Sequence, residues 1–268
     1  LVPLARDAEA LGFDAVSVGD SIVYPRRSDV KYPYTATGDR SFIEGQPFID
    51  PIVAGAAVLT ATTTLSFQSS VLKLGVRHPV VVAKQVASLA ALAPGRVRLG
   101  VGSSPWPEDF TIMGLTPQRR GSRLAEAIEV VQRLLQGGYQ SYSGEFYELP
   151  EARMDPTPPI PVPILIGGHG SANLRRAATL GDGWIAAGAD QSRLGDMIAE
   201  LHSHRRDAGR AEEAFAVHAP LHGDAGAIDH LLALGVTNIV VRPGLPGQPS
   251  TDLDAARTAL AAVASALS

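Results

Sequence analysis

Three glycines in four residues, Gly167-Gly168-His169-Gly170, stand directly before Ser171, where a helical pattern begins. Small residues let backbone N–H groups approach a ligand closely, and a helix N-terminus favours negative charge. This segment is therefore the strongest phosphate-binding candidate in the chain; the alternative is that its glycines only permit a tight turn. Similar small-residue clusters occur at Ser69-Ser70-Val71, followed by Lys73, and at Gly102-Ser103-Ser104, followed by Trp106. Asp20 and Ser21 close an early β-rich run, and Glu108 and Asp109 follow a later one. Glu108 and Asp109 have the residue types of an acid/base pair, but two carboxylates at this place also suit the first turn of a helix. Tyr24, Tyr34 and Trp106 are candidate pocket aromatics, against ordinary loop packing.

Other patterns carry less. Gly100-Val101-Gly102 begins like a dinucleotide fingerprint but lacks its third glycine, and Pro105 follows. Ser70-Val71-Leu72-Lys73 matches S-x-x-K, but it ends a strand rather than opening a helix, and neither S-D-N nor K-T-G follows. His202 and His204 lie two apart on one helix and face different sides. His218, His222 and Asp224 make at best a weak metal cluster, and a solvated loop is the preferred reading; no metal is expected. No G-x-S-x-G elbow is present. Arg119, Arg120 and Arg123 open a helix, where cations are unfavourable unless an anion is near; they read equally as an anion or partner contact or as a solvated turn.

The elements that position these residues alternate. Apolar residues at helical spacing run from Leu1 to Leu11, with Gly12 as the stop. Strands are expected over 13–18, 64–72, 97–101, 162–166, 183–187, 214–219 and 238–241. Helices are expected over 51–61 (capped by Asp50), 78–92, 117–136, 171–180, 191–208, 225–234 and 252–267. Strand followed by helix, repeated, predicts a parallel sheet. Seven strands fall one short of a (β/α)8 TIM barrel, and the leading helix has no strand before it, so the first strand is expected upstream of Leu1. A doubly wound sheet is the alternative. The chain reads as a single domain over 1–268 with insertions at about 22–49 and 137–161. The first of these, polar from Tyr24 to Phe48, has the length of a lid or binding loop.

Composition removes several function classes. The 268 residues are 45% apolar and 19% charged, with net charge −4 and pI near 6.0. A mildly acidic balance argues against nucleic acid as a partner. No run of eighteen apolar residues predicts a membrane span. The absence of cysteine excludes disulfides, thiolate metal sites and a Cys nucleophile. With no secretory signal in view, a cytoplasmic protein is expected.

Ordered motifs add a resemblance. Ala8-Glu9-Ala10-Leu11-Gly12-Phe13-Asp14, Asp20, Asp50-Pro51, Ala61-Thr62-Thr63-Thr64, His78-Pro79 with Ala83-Lys84-Gln85, Pro94-Gly95-Arg96-Val97 with Leu99-Gly100-Val101-Gly102, Gly114-Leu115 with Arg120, Pro161-Val162-Pro163 with Gly167-Gly168, and Gly181-Asp182-Gly183-Trp184 follow one another. This succession, over about residues 5–190, resembles the luciferase-like flavin- and deazaflavin-dependent oxidoreductases, and is most similar to their coenzyme F420-dependent branch.

The resemblance implies a TIM barrel with a deazaflavin (F420) or, alternatively, FMN in its mouth. It places Ser69, Ser70 and Val71 against the ring, with a cis peptide at Ser70–Val71. It puts Gly102, Ser103 and Ser104 at the cofactor's polar edge or tail, and Gly167, Gly168, His169 and Gly170 at its phosphate. Lys73 suits a polyanionic tail. Asp20 is the expected catalytic residue and polar contact to the ring. Many members carry Asp-His where this chain has Asp20-Ser21, and sugar-phosphate dehydrogenases of the family carry Glu where Pro105 stands. Both departures weigh against alcohol oxidation and favour hydride donation to a small organic substrate. The implied protein is a homodimer. An FMN-dependent monooxygenase, a non-catalytic flavin-binding paralogue and a phosphate-handling barrel without flavin are the alternatives.

Overall fold

In the computed structural model, which describes residues 1–32, 35, 37–186, 188, 191–222, 225–242 and 253–267, strands and helices alternate as the periodicity requires. The chain runs α1 (Val2–Ala10), β1 (Ala15–Val18), α2 (Pro51–Ala61), β2 (Ser66–Ser69), β3 (Leu72–Lys73), α3 (Pro79–Leu92), β4 (Val97–Gly102), α4 (Pro107–Ile112) and α5 (Arg120–Leu135). It continues through β5 (Tyr139–Ser143), β6 (Glu148–Arg153), β7 (Ile164–Gly167), α6 (Ser171–Leu180), β8 (Gly183–Ile185), α7 (Leu194–Asp207), β9 (Ala216–Pro220), α8 (Ile228–Ala233), β10 (Asn238–Val240) and α9 (Leu253–Leu267). Tyr34 and Asp224, together with residue 187 of the expected strand and residue 252 of the expected last helix, lie outside the described residues.

All the strands but β5 and β6 form one parallel sheet in the order β1-β2-β4-β7-β8-β9-β10, with β3 beside β4, curled into a nearly closed barrel of the TIM type. Alternation along each strand sorts the side chains. Val97, Leu99, Val101, Ile164, Ile166, Trp184, Val217 and Ala219 belong to the main apolar cluster shared with α3, α5, α6 and α7. The alternate residues face the other way, into the barrel. There Ser17, Gln68 and Arg98 stand in register across β1, β2 and β4, and Ile185, His218 and Asn238 across β8, β9 and β10.

Local chemistry sets the element ends. Asp50 caps α2, accepting from the backbone N–H of Ile52 at 2.9 Å and of Val53 at 3.4 Å. Pro51, Pro79 and Pro107 each start a helix, where a missing N–H costs nothing. Glu9 of α1 reaches the turn before β2 and accepts from the N–H groups of Thr64 (2.6 Å), Leu65 (3.0 Å) and Thr63 (2.8 Å). Those donors hold its carboxyl down at about 2.

Three segments differ from the expected elements. The strand expected over 64–72 is split into β2 and β3, with the cis Ser70–Val71 peptide between them. The 107–112 segment is a short helix, α4, which Trp106-Pro107-Glu108-Asp109 starts with proline and two acidic residues in its first turn. The 137–161 insertion is an antiparallel hairpin, β5 and β6, packed on α5.

Candidate active site at the strand tips

The bulge between β2 and β3 sits between two glycine-tipped strands. A Cβ added at Gly102, the end of β4, would come 2.8 Å from a γ-carbon of Val71. One added at Gly167, the end of β7, would come 2.9 Å from the other. Glycine at both tips thus leaves room for the Val71 side chain, which forms an apolar wall over them. Ser69 is buried and its hydroxyl donates to the carbonyl of Gly100 at 2.7 Å. The N–H of Ser70 donates to the carbonyl of Val18 at 2.8 Å, tying the bulge to the end of β1.

Asp20 lies behind this bulge. Its side chain is 2% exposed. Its carboxylate accepts the backbone N–H of Lys73 at 2.8 Å and both terminal nitrogens of Arg77, at 2.5 and 3.1 Å. Arg77 also reaches Asp50 at 3.2 Å. The Lys73 side chain turns to Asp109 on α4, a 2.7 Å ion pair in which the lysine side chain is 8% exposed and the aspartate wholly buried. Ser104 donates to the same Asp109 oxygen at 2.5 Å and accepts the N–H of Trp106 at 3.0 Å. Asp109 Oδ1 and the Ser103 hydroxyl are buried without a hydrogen-bond partner among the described residues. Asp109 therefore faces inward as Lys73's counter-ion, not outward as helix decoration.

Above the β4 tip, residues of the 22–49 insertion stack on Trp106. Its ring lies 5.5 Å from that of Tyr32 and nearly parallel to it, and Tyr32 meets Phe42 edge-on. The Arg40 guanidinium lies 4.8 Å from the Tyr24 ring centre and 5.1 Å from that of Trp106. Tyr24 also lines a cavity of about 180 Å³ with Ser21, Ile22, Val23, Ile43, Gly45, Gln46 and Phe48. A hollow of about 300 Å³ between α6 and α7, lined by Arg175, Thr179, His204, Asp207 and Ala208, lies on the helical layer away from the strand tips.

At the β7 tip, Gly168 has φ +121° and a Cβ there would meet the Asn173 amide, so glycine is required twice over. The Trp184 indole N–H holds the Gly168 carbonyl at 2.8 Å, and the His169 ring meets Trp184 edge-on. Arg176 donates to Asn173 at 2.8 Å. Burial pulls its guanidinium below the usual value, and no ion pair is formed by it among the described residues.

The remaining candidates are dispersed or satisfied within the chain. His218 lies within β9 rather than in a solvated loop; burial, then the charge of Arg98, lowers its imidazole to about 4. Arg119 pairs with Glu145, and it and Arg123 lie over Phe146. Of the two readings left open for this helix start, the pairing of Arg119 with the hairpin's own Glu145 needs no external anion.

The comparisons with known proteins come down on this barrel. The family described as luciferase-like monooxygenase matches residues 1–223. The chain belongs to the luciferase-like monooxygenase family. An uncharacterized protein of Mycobacterium tuberculosis is 45% identical over 260 residues, 96% of this chain and 89% of that one. An F420-dependent glucose-6-phosphate dehydrogenase of Beutenbergia cavernae is 34% identical over 189 residues, 66% of this chain and 49% of the dehydrogenase. The coenzyme F420-dependent tetrahydromethanopterin reductase of Methanopyrus kandleri shares the fold, with a TM-score of 0.68 at 15% identity, covering 98% of this chain and 92% of the reductase.

Sequence reasoning missed Arg77, Arg40, Asn173 and Arg176, and it did not pair Lys73 with Asp109. A signal for that pair was present: a lysine inside the apolar run Val71-Leu72-Lys73-Leu74 is buried only if a carboxylate meets it.

Proposed function

We propose that this luciferase-like protein is an oxidoreductase that moves a hydride between F420 and a small organic substrate, working as a reductase. The observation that carries this is the Val71 wall, seated over the two glycine tips and flanked by groups with unused capacity. Val71 suits the apolar face of a planar ring. The unpaired Ser103 hydroxyl suits a polar ring edge or tail. Gly167–Gly170, with Asn173 and Arg176 behind it, suits a phosphate at the start of α6. The donor set therefore fits a phosphate-tailed flavin-type cofactor, as in the F420-dependent relatives.

When bound, F420 supplies the hydride chemistry. The chain's own residues orient and enclose. Asp20 fixes the Lys73 backbone and Arg77, and so holds the bulge from behind; in this reading its role is positioning. The Lys73–Asp109 pair anchors α4, and with it Ser103 and Ser104. The Tyr32–Trp106 stack covers the β4 tip and keeps water from the site. Ser21 and Pro105 supply no group that exchanges a proton with an alcohol or its carbonyl, so the preferred reaction is hydride donation to an activated alkene such as an enone, whose enolate takes its proton from solvent.

Ultraviolet–visible titration tests the cofactor. Saturable binding of F420, followed by oxidation of its reduced form by a panel of enones and carbonyl compounds, is expected. Binding of FMN without F420 transfers the site to FMN monooxygenase chemistry. Binding of F420 with no acceptor reduced leaves a non-catalytic paralogue. The reading includes a homodimer in the cytoplasm, which sedimentation and cell fractionation check.

A further inference from the structure

Arg40 is a cation with a donor to spare. Its guanidinium is held between Tyr24 and Trp106, and one terminal nitrogen, Nη2, donates to the carbonyl of Pro25 at 2.8 Å. The other, Nη1, is buried and has no hydrogen-bond partner among the described residues. No carboxylate pairs with Arg40 among the described residues. Two aromatic faces compensate part of a cation's lost hydration, but they do not satisfy an N–H. A buried charged donor left unmade is costly, and an oxyanion is the group that best relieves it.

Tyr24, the ring under the Arg40 guanidinium, rather than Arg40 itself, lines the neighbouring cavity and points to the molecule that would bring that oxyanion. Trp106 is tied through Ser104 to the β4 tip, and Tyr24 lines the cavity of about 180 Å³ beside the end of β1. A cavity of that size is close to the roughly 150 Å³ that holds a benzene-sized ring. The phosphate loop assigned above lies elsewhere, at the tip of β7. We propose that Arg40 receives an anionic group, a carboxylate or an equivalent oxyanion, carried by a small, ring-sized substrate, with Tyr24 and Trp106 holding the guanidinium in place. This rests on the oxidoreductase reading only for the word substrate; the anion site stands or falls by itself.

The test uses benzoate and its neutral isostere benzamide as probes, followed by tryptophan fluorescence of the purified protein, since Trp106 is stacked on Arg40. Benzoate is expected to bind at least about tenfold more tightly than benzamide, the difference made by one charged pair. Arg40→Gln is expected to bring the two probes level, and Arg40→Lys, which keeps the charge but loses the fork, to fall between. F420 and FMN titrations of the same samples are expected to be unchanged by either variant. Equal binding of the two probes to the wild-type protein overturns the proposal, and needs no variant to fold. A fall in cofactor affinity in Arg40→Gln with benzoate unaffected also overturns it, because the anion is then the cofactor's. If the wild-type protein binds benzoate selectively but neither cofactor, the oxidoreductase reading fails and the Arg40 site remains.

Discussion

The floor of the barrel mouth and the loop above it are built on different principles. The floor, from the β2–β3 bulge to the tips of β4 and β7, is close-packed: Val71 occupies the space that side chains at Gly102 and Gly167 would need. Its charges, Asp20 with Arg77 and Lys73 with Asp109, are sequestered and mutually paired. The loop carries half-exposed residues held by ring stacking and by one arginine that lacks a carboxylate partner among the described residues. A floor of this kind fixes position; a loop of this kind leaves binding capacity free. The lesson is that glycine at a strand tip need not announce a ligand, since here two of them make room for a neighbouring valine.

The largest effect that would sharpen the contrast is at Lys73. Lys73→Met leaves the Asp109 charge buried with no counter-ion and only the Ser104 hydroxyl donating to it, and a loss of about 3–5 kcal/mol of stability is expected. The double variant Lys73→Met, Asp109→Leu should recover most of it in urea unfolding. If the single variant costs as little as an exposed pair, the floor is not the sequestered unit described.

The next effect is confined to acid. The His218 imidazole is lower when folded, at about 4, than its usual 6.5, so the unfolded chain binds more protons between those values. Its contribution is fully present above about pH 6.5 and is lost as pH falls toward 4. Replacing His218 with Asn should flatten the stability–pH curve in that window. Glu9 acts lower still. Its folded value of about 2 lies below the usual 4.5, so its contribution is present above pH 4.5 and disappears as pH falls toward 2. Glu9→Gln should remove that lower slope alone.

Smaller again is Gly102→Ala or Gly167→Ala, in which a new Cβ meets Val71. About 1–3 kcal/mol is the expected loss, with weaker cofactor binding. Val71→Ala should relieve it in the double variant; no rescue would mean that the glycines serve backbone conformation instead. The smallest is in the loop. Arg40→Gln should change thermal unfolding by less than about 1 kcal/mol, because Tyr32 and Trp106 stay stacked and no carboxylate among the described residues is left unpaired by its loss. A loss equal to that of Lys73→Met would erase the distinction between floor and loop.

The alternation of strands and helices around the barrel, the start of α2 at Asp50-Pro51 and the small-residue tips were legible in the residues themselves; the bulge at Ser70–Val71 came only with the family resemblance, the periodicity having read 64–72 as one strand. Periodicity, capping residues and turn formers act within a few residues of themselves, so a linear reading reaches them. The pairing of Lys73 with Asp109, the capture of Asp20 by Arg77, the return of Arg119 and Arg123 onto the hairpin, and the seating of Arg40 between Tyr24 and Trp106 were decided only by the tertiary structure. Each joins residues from separate elements, and a charged side chain takes whichever counter-charge or ring the packed elements bring within reach.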